Sequence, residues 1–212
     1  MIEAAAILGG YLLGSLTFGY WLPRVFRHED IRAQGSGNVG ASNVFRVYGR
    51  RLGTAVALLD LGKGLAAALL GVWAGGALIG VLAGAAAMVG HARPIFLRFE
   101  RGGKMVATAA GAFLALAPIA ALGCFGVWLA VFVLTRYASL ASIAAALALI
   151  VLVLVIGYPW PVIAFAVTGA AAVILLHRHN IRRLLGGTEH RFELSVRKTG
   201  TRSRGFRSRE DP

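Results

Sequence analysis

The chain alternates long apolar runs with short polar and basic segments. Six runs are dominated by apolar residues, at about 4–22, 54–74, 76–91, 105–134, 139–157 and 161–177. Most of them approach the roughly 20 residues that an α-helix needs to cross a hydrocarbon core. The pattern therefore predicts an all-α, polytopic membrane protein. The run at 105–134 contains Pro118 and is too long for one ordinary crossing, so it is either one kinked helix or two helices that turn near 115–118.

The positions of the basic residues decide between these two topologies. If 105–134 forms two helices, the chain has seven spans, and all but one of its 22 lysines and arginines lie on one side of the membrane. The exception, Lys63, lies inside a helix. Because basic loops stay in the cytoplasm, we predict seven transmembrane helices with the N-terminus outside and the C-terminus inside. The fourth helix would then have only about 13 residues, which implies a locally thinned membrane or a sunken site.

Composition supports a membrane protein and excludes several other classes. Hydrophobic residues make up 58% of the chain, against about 45–50% in soluble domains. The net charge of +13 does not indicate nucleic-acid binding, because the arginines flank the apolar runs. The one cysteine, Cys124, excludes a disulfide framework. Residues 1–194 are predicted to form the membrane domain, and the basic residues 195–212 a disordered cytoplasmic tail.

The least helix-like stretch is a polar loop at residues 35–43. Its three glycines, Gly35, Gly37 and Gly40, allow positive φ and would turn successive amide groups towards one point, as in phosphate-binding nests. Four side chains add neutral hydrogen-bond donors: Ser36, Asn38, Ser42 and Asn43. Arg46 follows with a guanidinium suited to bidentate phosphate contacts. We predict an anion cradle here, the alternative being a flexible interfacial loop without a ligand.

Two further segments carry candidate polar groups. Gly102, Gly103 and Lys104 precede a predicted helix, so free amide groups and the helix dipole would favour a phosphate there, and we place His91 at the same site. Asp60 and Lys63 lie three residues apart on one helix face and are expected to pair. Their pair is either a structural ion pair or part of the site, since charges inside a membrane helix are costly.

The remaining polar segments follow the later apolar runs. In the segment 136–142, Ser139 is a candidate N-cap and Ser142 a candidate ligand donor. His177 and His179 form an H-x-H pair, but few carboxylates and no second cysteine accompany them, so neither a metal nor another cofactor is predicted. Covalent serine catalysis is poorly supported, because the chain has neither a G-x-S-x-G elbow nor an H-x4-D arrangement.

Five ordered motifs in this chain resemble those of the PlsY family, the bacterial membrane glycerol-3-phosphate acyltransferases that use acyl phosphate as donor. They are S-G-N-x-G-A-S-N-x-x-R at 36–46, D-x-x-K-G at 60–64, G-H with G-G-K-x-V-A-T at 90–108, R-Y-x-S-L-x-S at 136–142, and H-R-x-N-I-x-R-L-x-x-G-x-E at 177–189. The resemblance covers about residues 5–190. It implies the seven-helix, C-terminus-in architecture and a site that faces the cytoplasm of a bacterial cell membrane.

The resemblance also assigns roles to particular residues. It implies that Ser36 and Arg46 belong to an essential loop, and that His177 and Asn180 are active-site residues. The segment around Lys104 would bind phosphate and Ser142 would contact substrate, whereas Glu189 would be structural. This chain departs from the family pattern at Val39, Ser42 and Met105, where proline, threonine and glycine are usual.

The expected reaction is transfer of a fatty acyl group from acyl phosphate to the 1-hydroxyl of sn-glycerol 3-phosphate, giving lysophosphatidic acid and phosphate. The expected partners are these substrates, membrane lipids and two candidate enzymes, the one that makes acyl phosphate and the one that adds the second acyl chain. Two alternatives remain open. A transporter of a small anionic solute would use Asp60 and Lys63 within the membrane, and a catalytically silent paralogue would be explained by the three departures.

Overall fold

The computed structural model describes residues 1–192, and all regular secondary structure in that part of the chain is helical. The α-helices are α1 (Ile2–Ser15), α2 (Phe18–Arg27), α3 (Ala41–Tyr48), α4 (Arg50–Ala92), α5 (Val106–Leu116), α6 (Pro118–Thr135), α7 (Ala138–Ile156), α8 (Trp160–Leu176) and α9 (Arg178–Leu185). Short 3-10 turns occupy Ile31–Ala33 and Ile95–Leu97. The predicted all-α class is confirmed. The predicted tail, 195–212, lies outside the described residues.

The first apolar run forms two helices rather than the one helix predicted. α1 and α2 are bent by 40° at a break, where Leu16 is extended with a ψ of 95°. The Lys63 ammonium donates to the Leu16 carbonyl over 2.8 Å, and the Thr17 hydroxyl donates to the Ser15 carbonyl over 3.0 Å. Because side-chain donors satisfy these carbonyls, the helix can end here without leaving buried acceptors unpaired.

Helix α4 contains two apolar runs and reverses direction between them. Gly76 has a φ of 77°, a conformation that glycine adopts without steric cost. A straight helix would separate Gly71 and Gly80 by roughly 13 Å, yet a β-carbon on Gly71 would lie 2.7 Å from the Gly80 Cα. The chain therefore folds back at Gly75 and Gly76, as the sequence predicted. We refer to residues 50–74 and 77–92 as the first and second arms of α4.

The long run at 105–134 is two helices, as predicted. Ala117, with a φ of −148°, separates α5 from α6, and Pro118 occupies the first turn of α6, where its missing N–H costs nothing. α5 has 11 residues and therefore rises only roughly 16 Å, about half of a hydrocarbon core. A short helix at this point agrees with the expected length of about 13 residues.

Three helices in the described part of the chain are long and apolar enough to cross a membrane, or up to five if each bent pair counts as one span. The first of these three is the folded-back α4, counted as one helix together with the short turn that follows it. The count of seven crossings and the orientation of the chain stay predictions.

Glycines bring the helices unusually close to one another. A β-carbon on Gly14 of α1 would overlap the backbone of Ala87, and one on Gly64 of α4 would overlap the Thr108 carbonyl. Small residues at helix interfaces allow backbones to approach closely in this way. The Gly64 contact holds the first arm of α4 against α5, the helix that follows Lys104.

Candidate active site

A cavity of about 480 Å³ lies among the helices and draws residues from nearly every part of the fold. Its polar wall comes from loops and helix ends: Ser36, Asn38, Arg46, Lys104, Ser142, His177, Asn180 and Glu189. Its apolar wall comes from helix interiors: Phe113, Phe125, Trp128, Leu149 and Val173. One continuous space can therefore accept both an anionic head and a hydrocarbon chain.

Most of the predicted site residues lie in the wall of this cavity, and Gly40, Asn43, Asp60 and His91 also belong to it. Four predicted binding residues do not line it: Gly37, Lys63, Gly102 and Gly103. Segments that are up to about 150 residues apart in sequence therefore meet at one place.

The glycine-rich loop differs from the predicted nest of free amides. Gly35 and Gly37 have positive φ values of 57° and 71°, but Gly40 has a φ of −78° and caps α3. The Gly37 amide donates to the Gln34 carbonyl over 2.9 Å, and the Gly40 amide donates to Asn38 Oδ1 over 2.8 Å. Because these donors are already used inside the loop, the predicted amide cradle is wrong for Gly37 and Gly40.

The two asparagines of the loop hold it together. Asn43 is buried, its amide group donates to the Gln34 and Asn38 carbonyls over 3.0 and 2.9 Å, and its Oδ1 accepts from the Ser36 amide over 2.9 Å. Asn38 donates to the Gly102 carbonyl over 3.3 Å and so joins the two glycine-containing segments. Because their side-chain amide groups make these internal bonds, a ligand would have to compete with the loop for the donors predicted here. The Ser36 side chain is exposed and lines the cavity.

The segment from Gly102 to Lys104 also differs from its prediction. The Gly102 and Gly103 amides donate to the carbonyls of Ala92 and His91, each over 3.0 Å, so the free amide groups predicted there do not exist. α5 begins two residues after Lys104, because Met105 adopts a φ of 67° as the N-cap. Both glycines permit close packing instead, since a β-carbon on Gly103 would overlap the His91 ring. Lys104 is therefore the group of this segment that reaches the cavity.

A chain of hydrogen bonds starts at Lys104 and ends at Glu189. The Lys104 ammonium donates to Asn180 Oδ1 over 2.6 Å, and the Asn180 amide donates to Glu189 Oε1 over 2.6 Å. The same carboxylate accepts from the Ser139 hydroxyl over 2.8 Å and pairs with Arg183 over 2.7 Å. Glu189 thus connects α7, α9 and the segment after α9, which fits its predicted structural role. Ser139 is not the N-cap, since Tyr137 caps α7.

The charge of Lys104 is sensitive to its surroundings. Burial lowers the pKa of its ammonium to about 8, Glu189 opposes this shift, and Arg183 and Arg46 add to it. For Glu189, burial raises the pKa, but the hydrogen bonds from Asn180, Arg183 and Ser139 outweigh burial and hold it below its usual value. A bound phosphate next to Lys104 would favour its protonated form.

His177 lies at the end of α8 and faces the cavity with a defined tautomer. Its Nδ1 lies 2.8 Å from the Val173 carbonyl oxygen. Because a carbonyl can only accept, Nδ1 carries the proton and Nε2 of the neutral ring is an acceptor.

Ser142 donates to the Ala138 carbonyl over 2.7 Å and accepts from the Trp128 indole over 3.2 Å. The Ser142 hydroxyl proton is therefore already donated to a backbone carbonyl, so Ser142 is not a free donor for a ligand in this structure.

The expected pair of Asp60 and Lys63 exists, and His91 joins it as a third member. Lys63 Nζ lies 2.8 Å from Asp60 Oδ1 and 2.8 Å from His91 Nδ1, and all three side chains are buried. Asp60 and His91 touch the cavity, whereas Lys63 reaches the break between α1 and α2. The group joins both arms of α4 to that break, which favours the structural alternative for Lys63.

Sequence reasoning missed several residues of the wall. Arg183, Trp128, Phe132 and Phe192 all line the cavity, and the sequence assigned a role to none of them, although Arg183 is part of the motif at 177–189. Arg183 lies three residues after Asn180 on α9, a spacing that puts both side chains on one helix face, and it could have been found in that way. The aromatic residues lie in apolar or basic surroundings without a local signal.

Comparison with known proteins identifies relatives of this chain. A family model described as glycerol-3-phosphate acyltransferase matches residues 4–187. The glycerol-3-phosphate acyltransferase of Synechococcus sp. (strain JA-3-3Ab) is 46% identical over 186 residues, which cover 88% of this chain and 91% of the relative. That of Aquifex aeolicus (strain VF5) is 45% identical over 188 residues, or 88% and 97% of the two chains.

Solved structures show the same fold. The crystal structure of PlsY, an integral membrane glycerol 3-phosphate acyltransferase, in its glycerol 3-phosphate form has a TM-score of 0.87 and 43% identity, and covers 90% of this chain and 96% of that chain. The lysophosphatidic acid form has a TM-score of 0.84 and 42% identity, and covers 90% and 95%. The likeness and the apolar helices identify a membrane protein, and the predicted resemblance is confirmed. This chain belongs to the glycerol-3-phosphate acyltransferase family.

Proposed function

We propose that this protein transfers a fatty acyl group from acyl phosphate to the 1-hydroxyl of sn-glycerol 3-phosphate, producing lysophosphatidic acid and inorganic phosphate. The observation that carries the proposal is the shared cavity, in which Arg46 and Lys104 meet a long apolar wall. Both substrates have a phosphate end, and one has a hydrocarbon chain. The relatives named above are glycerol-3-phosphate acyltransferases, and PlsY has been solved in forms named for the acceptor and for the product.

Two cations and one helix end are available for the phosphate groups. Lys104 provides a charge at one side, held by Asn180, and Arg46 provides a second. The first amides of α3, at Ala41 and Ser42, donate to no acceptor within residues 1–192, and the positive end of the helix dipole favours an anion there. The supporting residues Gly102, Gly103 and Glu189 hold these groups in place.

The apolar wall explains the choice of a lipid donor. Each buried methylene contributes about 0.8 kcal/mol, so a long acyl chain held by the helix interiors keeps its reactive head at the polar wall. A cavity of about 480 Å³ is within the range of roughly 300–1,000 Å³ that small-ligand sites occupy. We expect the rest of a long chain to extend towards the surrounding lipid.

The proposed chemistry needs no covalent enzyme intermediate. The acceptor hydroxyl oxygen forms a bond to the acyl carbon, the bond between that carbon and the phosphate oxygen breaks, and phosphate leaves with the electron pair. The hydroxyl proton passes to His177 Nε2 or to an oxygen of the leaving phosphate. Because phosphate is a good leaving group, orientation and charge stabilisation supply most of the rate enhancement. Ser36 donates to the carbonyl or to a phosphate oxygen from the exposed side of the cavity.

We further propose that the site faces the cytoplasm of a bacterial plasma membrane. The proposal is supported by the polar wall, which comes from the segments that hold nearly all the basic residues within 1–192. Such segments stay in the cytoplasm under the positive-inside rule. The enzymes that supply acyl phosphate and that acylate lysophosphatidic acid are candidate partners on the same side.

The reaction is tested with purified protein in lipid, palmitoyl phosphate, and either sn-glycerol 3-phosphate or no acceptor. We expect phosphate release that depends on the acceptor and is lost in Ser36→Ala and Lys104→Ala. Release without any dependence on the acceptor would contradict the proposed transfer, and uptake of the solute without product would favour a transporter. Direct transfer fails if an acyl-Ser36 species can be trapped and is turned over at the rate of the reaction.

A further inference from the structure

The segment that follows α9 returns to the cavity beyond the part of the chain that the family model matches. The Thr188 amide donates to the Arg183 carbonyl over 2.8 Å, and the Phe192 amide donates to the Arg136 carbonyl over 2.9 Å. The Arg191 guanidinium donates to the Thr135 carbonyl over 3.3 Å. Residues 188–192 are thus attached at one end to α9 and at the other to the junction between α6 and α7. The matched residues end at 187 and the last motif of the resemblance ends at Glu189, so Arg191 and Phe192 lie beyond both.

This attachment places the Phe192 ring between α3 and α6. Its centroid lies 5.6 Å from that of Phe45 at an interplanar angle of 63°, and 5.3 Å from that of Phe132 at 75°. Edge-to-face contacts of this kind are favourable and depend on orientation. Because the backbone and two aromatic neighbours hold the ring, its position is well defined, and it forms part of the cavity wall.

The Phe192 ring contacts the guanidinium of Arg46. The Arg46 Cζ lies 5.0 Å from the ring centroid, within the distance at which a cation is attracted to an aromatic face. None of the ion pairs within residues 1–192 includes Arg46, and its buried Nε has no hydrogen-bond partner there. The ring is therefore an aromatic contact that restrains this guanidinium without an ion pair in the described part of the chain.

An aromatic partner has a different effect from a carboxylate. A carboxylate would orient the guanidinium and would also neutralise it, so that a substrate phosphate would have to compete for the charge. A ring restrains the flexible side chain by stacking and leaves the positive charge and the terminal N–H groups available. We infer that Phe192 is a positioning residue that holds Arg46 ready for a substrate phosphate. The inference rests on the proposed function, in which Arg46 binds phosphate.

The affinity of the protein for sn-glycerol 3-phosphate and inorganic phosphate, measured by titration calorimetry of the full chain in lipid nanodiscs, tests the inference. Phe192→Leu keeps an apolar side chain but removes the ring, and we expect it to weaken binding about 3- to 30-fold. Phe192→Trp keeps an aromatic face and should bind within about 2-fold of wild type. Phe26→Leu removes an exposed phenylalanine of α2 that lies outside the cavity and serves as the matched control.

A double-mutant cycle separates positioning of Arg46 from simple packing. In an Arg46→Gln background no guanidinium remains to be positioned, so adding Phe192→Leu should change the affinity less than about 2-fold. An equal loss in both backgrounds, or an unchanged affinity in Phe192→Leu, would overturn the inference. If Phe192→Leu loses its thermal transition, Phe192→Tyr and Phe192→Met replace it as the ring-retaining and ring-lacking pair.

The outcome for the wild-type protein distinguishes this inference from the proposed function. Acceptor-dependent phosphate release with unchanged affinity in Phe192→Leu would leave the acyltransferase proposal standing and remove the role of Phe192. Phosphate binding that depends on Phe192 in a protein without transfer activity would support the role of Phe192 and refute the acyltransferase proposal. A wild-type protein that binds neither anion would refute both.

Discussion

Replacing Lys104 by methionine removes the ammonium but keeps a side chain of similar length. In the wild-type protein this ammonium is part of the cavity wall and lies 2.6 Å from Asn180 Oδ1. A hydrogen bond to a charged group contributes about 1.5–3 kcal/mol, and each 1.4 kcal/mol is a factor of about ten. We therefore expect kcat/KM for the phosphate-bearing substrates to fall by about 10- to 150-fold.

The pH profile gives an independent test of the same residue. Because burial lowers the pKa of Lys104 to about 8, the charged form in the free enzyme is lost as the pH rises through about 8. Wild-type kcat/KM should then decrease above that pH, and bound phosphate should move the decrease in kcat to higher pH. Lys104→Met should lack this alkaline decrease, since it has no proton to lose.

Arg101 supplies the matched control for this experiment. It lies three residues before Lys104 on the same segment, is exposed and does not line the cavity. Arg101→Met should change kcat/KM less than about 3-fold, as expected for a screened surface charge. A phosphate-binding role of Lys104 is refuted if Lys104→Met keeps wild-type kcat/KM, if it keeps the alkaline decrease, or if Arg101→Met has an equal effect.

Three other substitutions test the packing, the chemistry and the lipid wall. Gly103→Ala places a methyl group against the His91 ring and should lower the free energy of unfolding by about 1–3 kcal/mol. Gly126→Ala is the control, since its methyl group would meet nothing within 4 Å and should not lower the free energy of unfolding. Thermal unfolding in lipid measures both variants. His177→Ala should lower kcat about 10²- to 10⁴-fold if Nε2 accepts the hydroxyl proton, and wild-type turnover would show that it does not. Gly169→Leu projects into the apolar wall and should lower kcat/KM for palmitoyl phosphate more than for octanoyl phosphate; equal effects on the two donors would contradict an acyl-binding role.

The departures from the family pattern now have a structural setting. Met105 adopts a φ of 67°, where a residue with a side chain is strained and glycine is not, and its side chain is buried in the main hydrophobic core. Val39 is fully buried in a smaller core beside Ile31 and Val44. Ser42 is exposed in the first turn of α3. The first two departures thus concern packing next to the site rather than groups that reach the cavity.

The sequence alone predicted the features that depend on local chemistry. Lengths of apolar runs predicted the helices of the core, the positions of the basic residues divided the run at 105–134, and the boundary between the runs at 54–74 and 76–91 predicted the reversal inside α4. The break at Leu16 could not be predicted in this way, since it depends on a hydrogen bond from Lys63, which lies 47 residues away. Motif spacing identified the segments that carry the polar wall, because those residue types suit phosphate.

The tertiary structure decided which of these polar groups are free to bind a ligand. The amides of Gly37, Gly40, Gly102 and Gly103 looked available in the sequence, but each donates to a backbone or side-chain acceptor in the fold. A donor can be assigned only when its competing acceptors are known, and here the acceptors are Gln34, Asn38, Ala92 and His91, which only the folded loops bring within hydrogen-bonding distance. The sequence therefore determined the family, the helices and the segments of the site. Only the packing of the helices determined that Lys104 is held by Asn180 and Arg46 by Phe192, because those contacts join parts of the chain 76 and 146 residues apart.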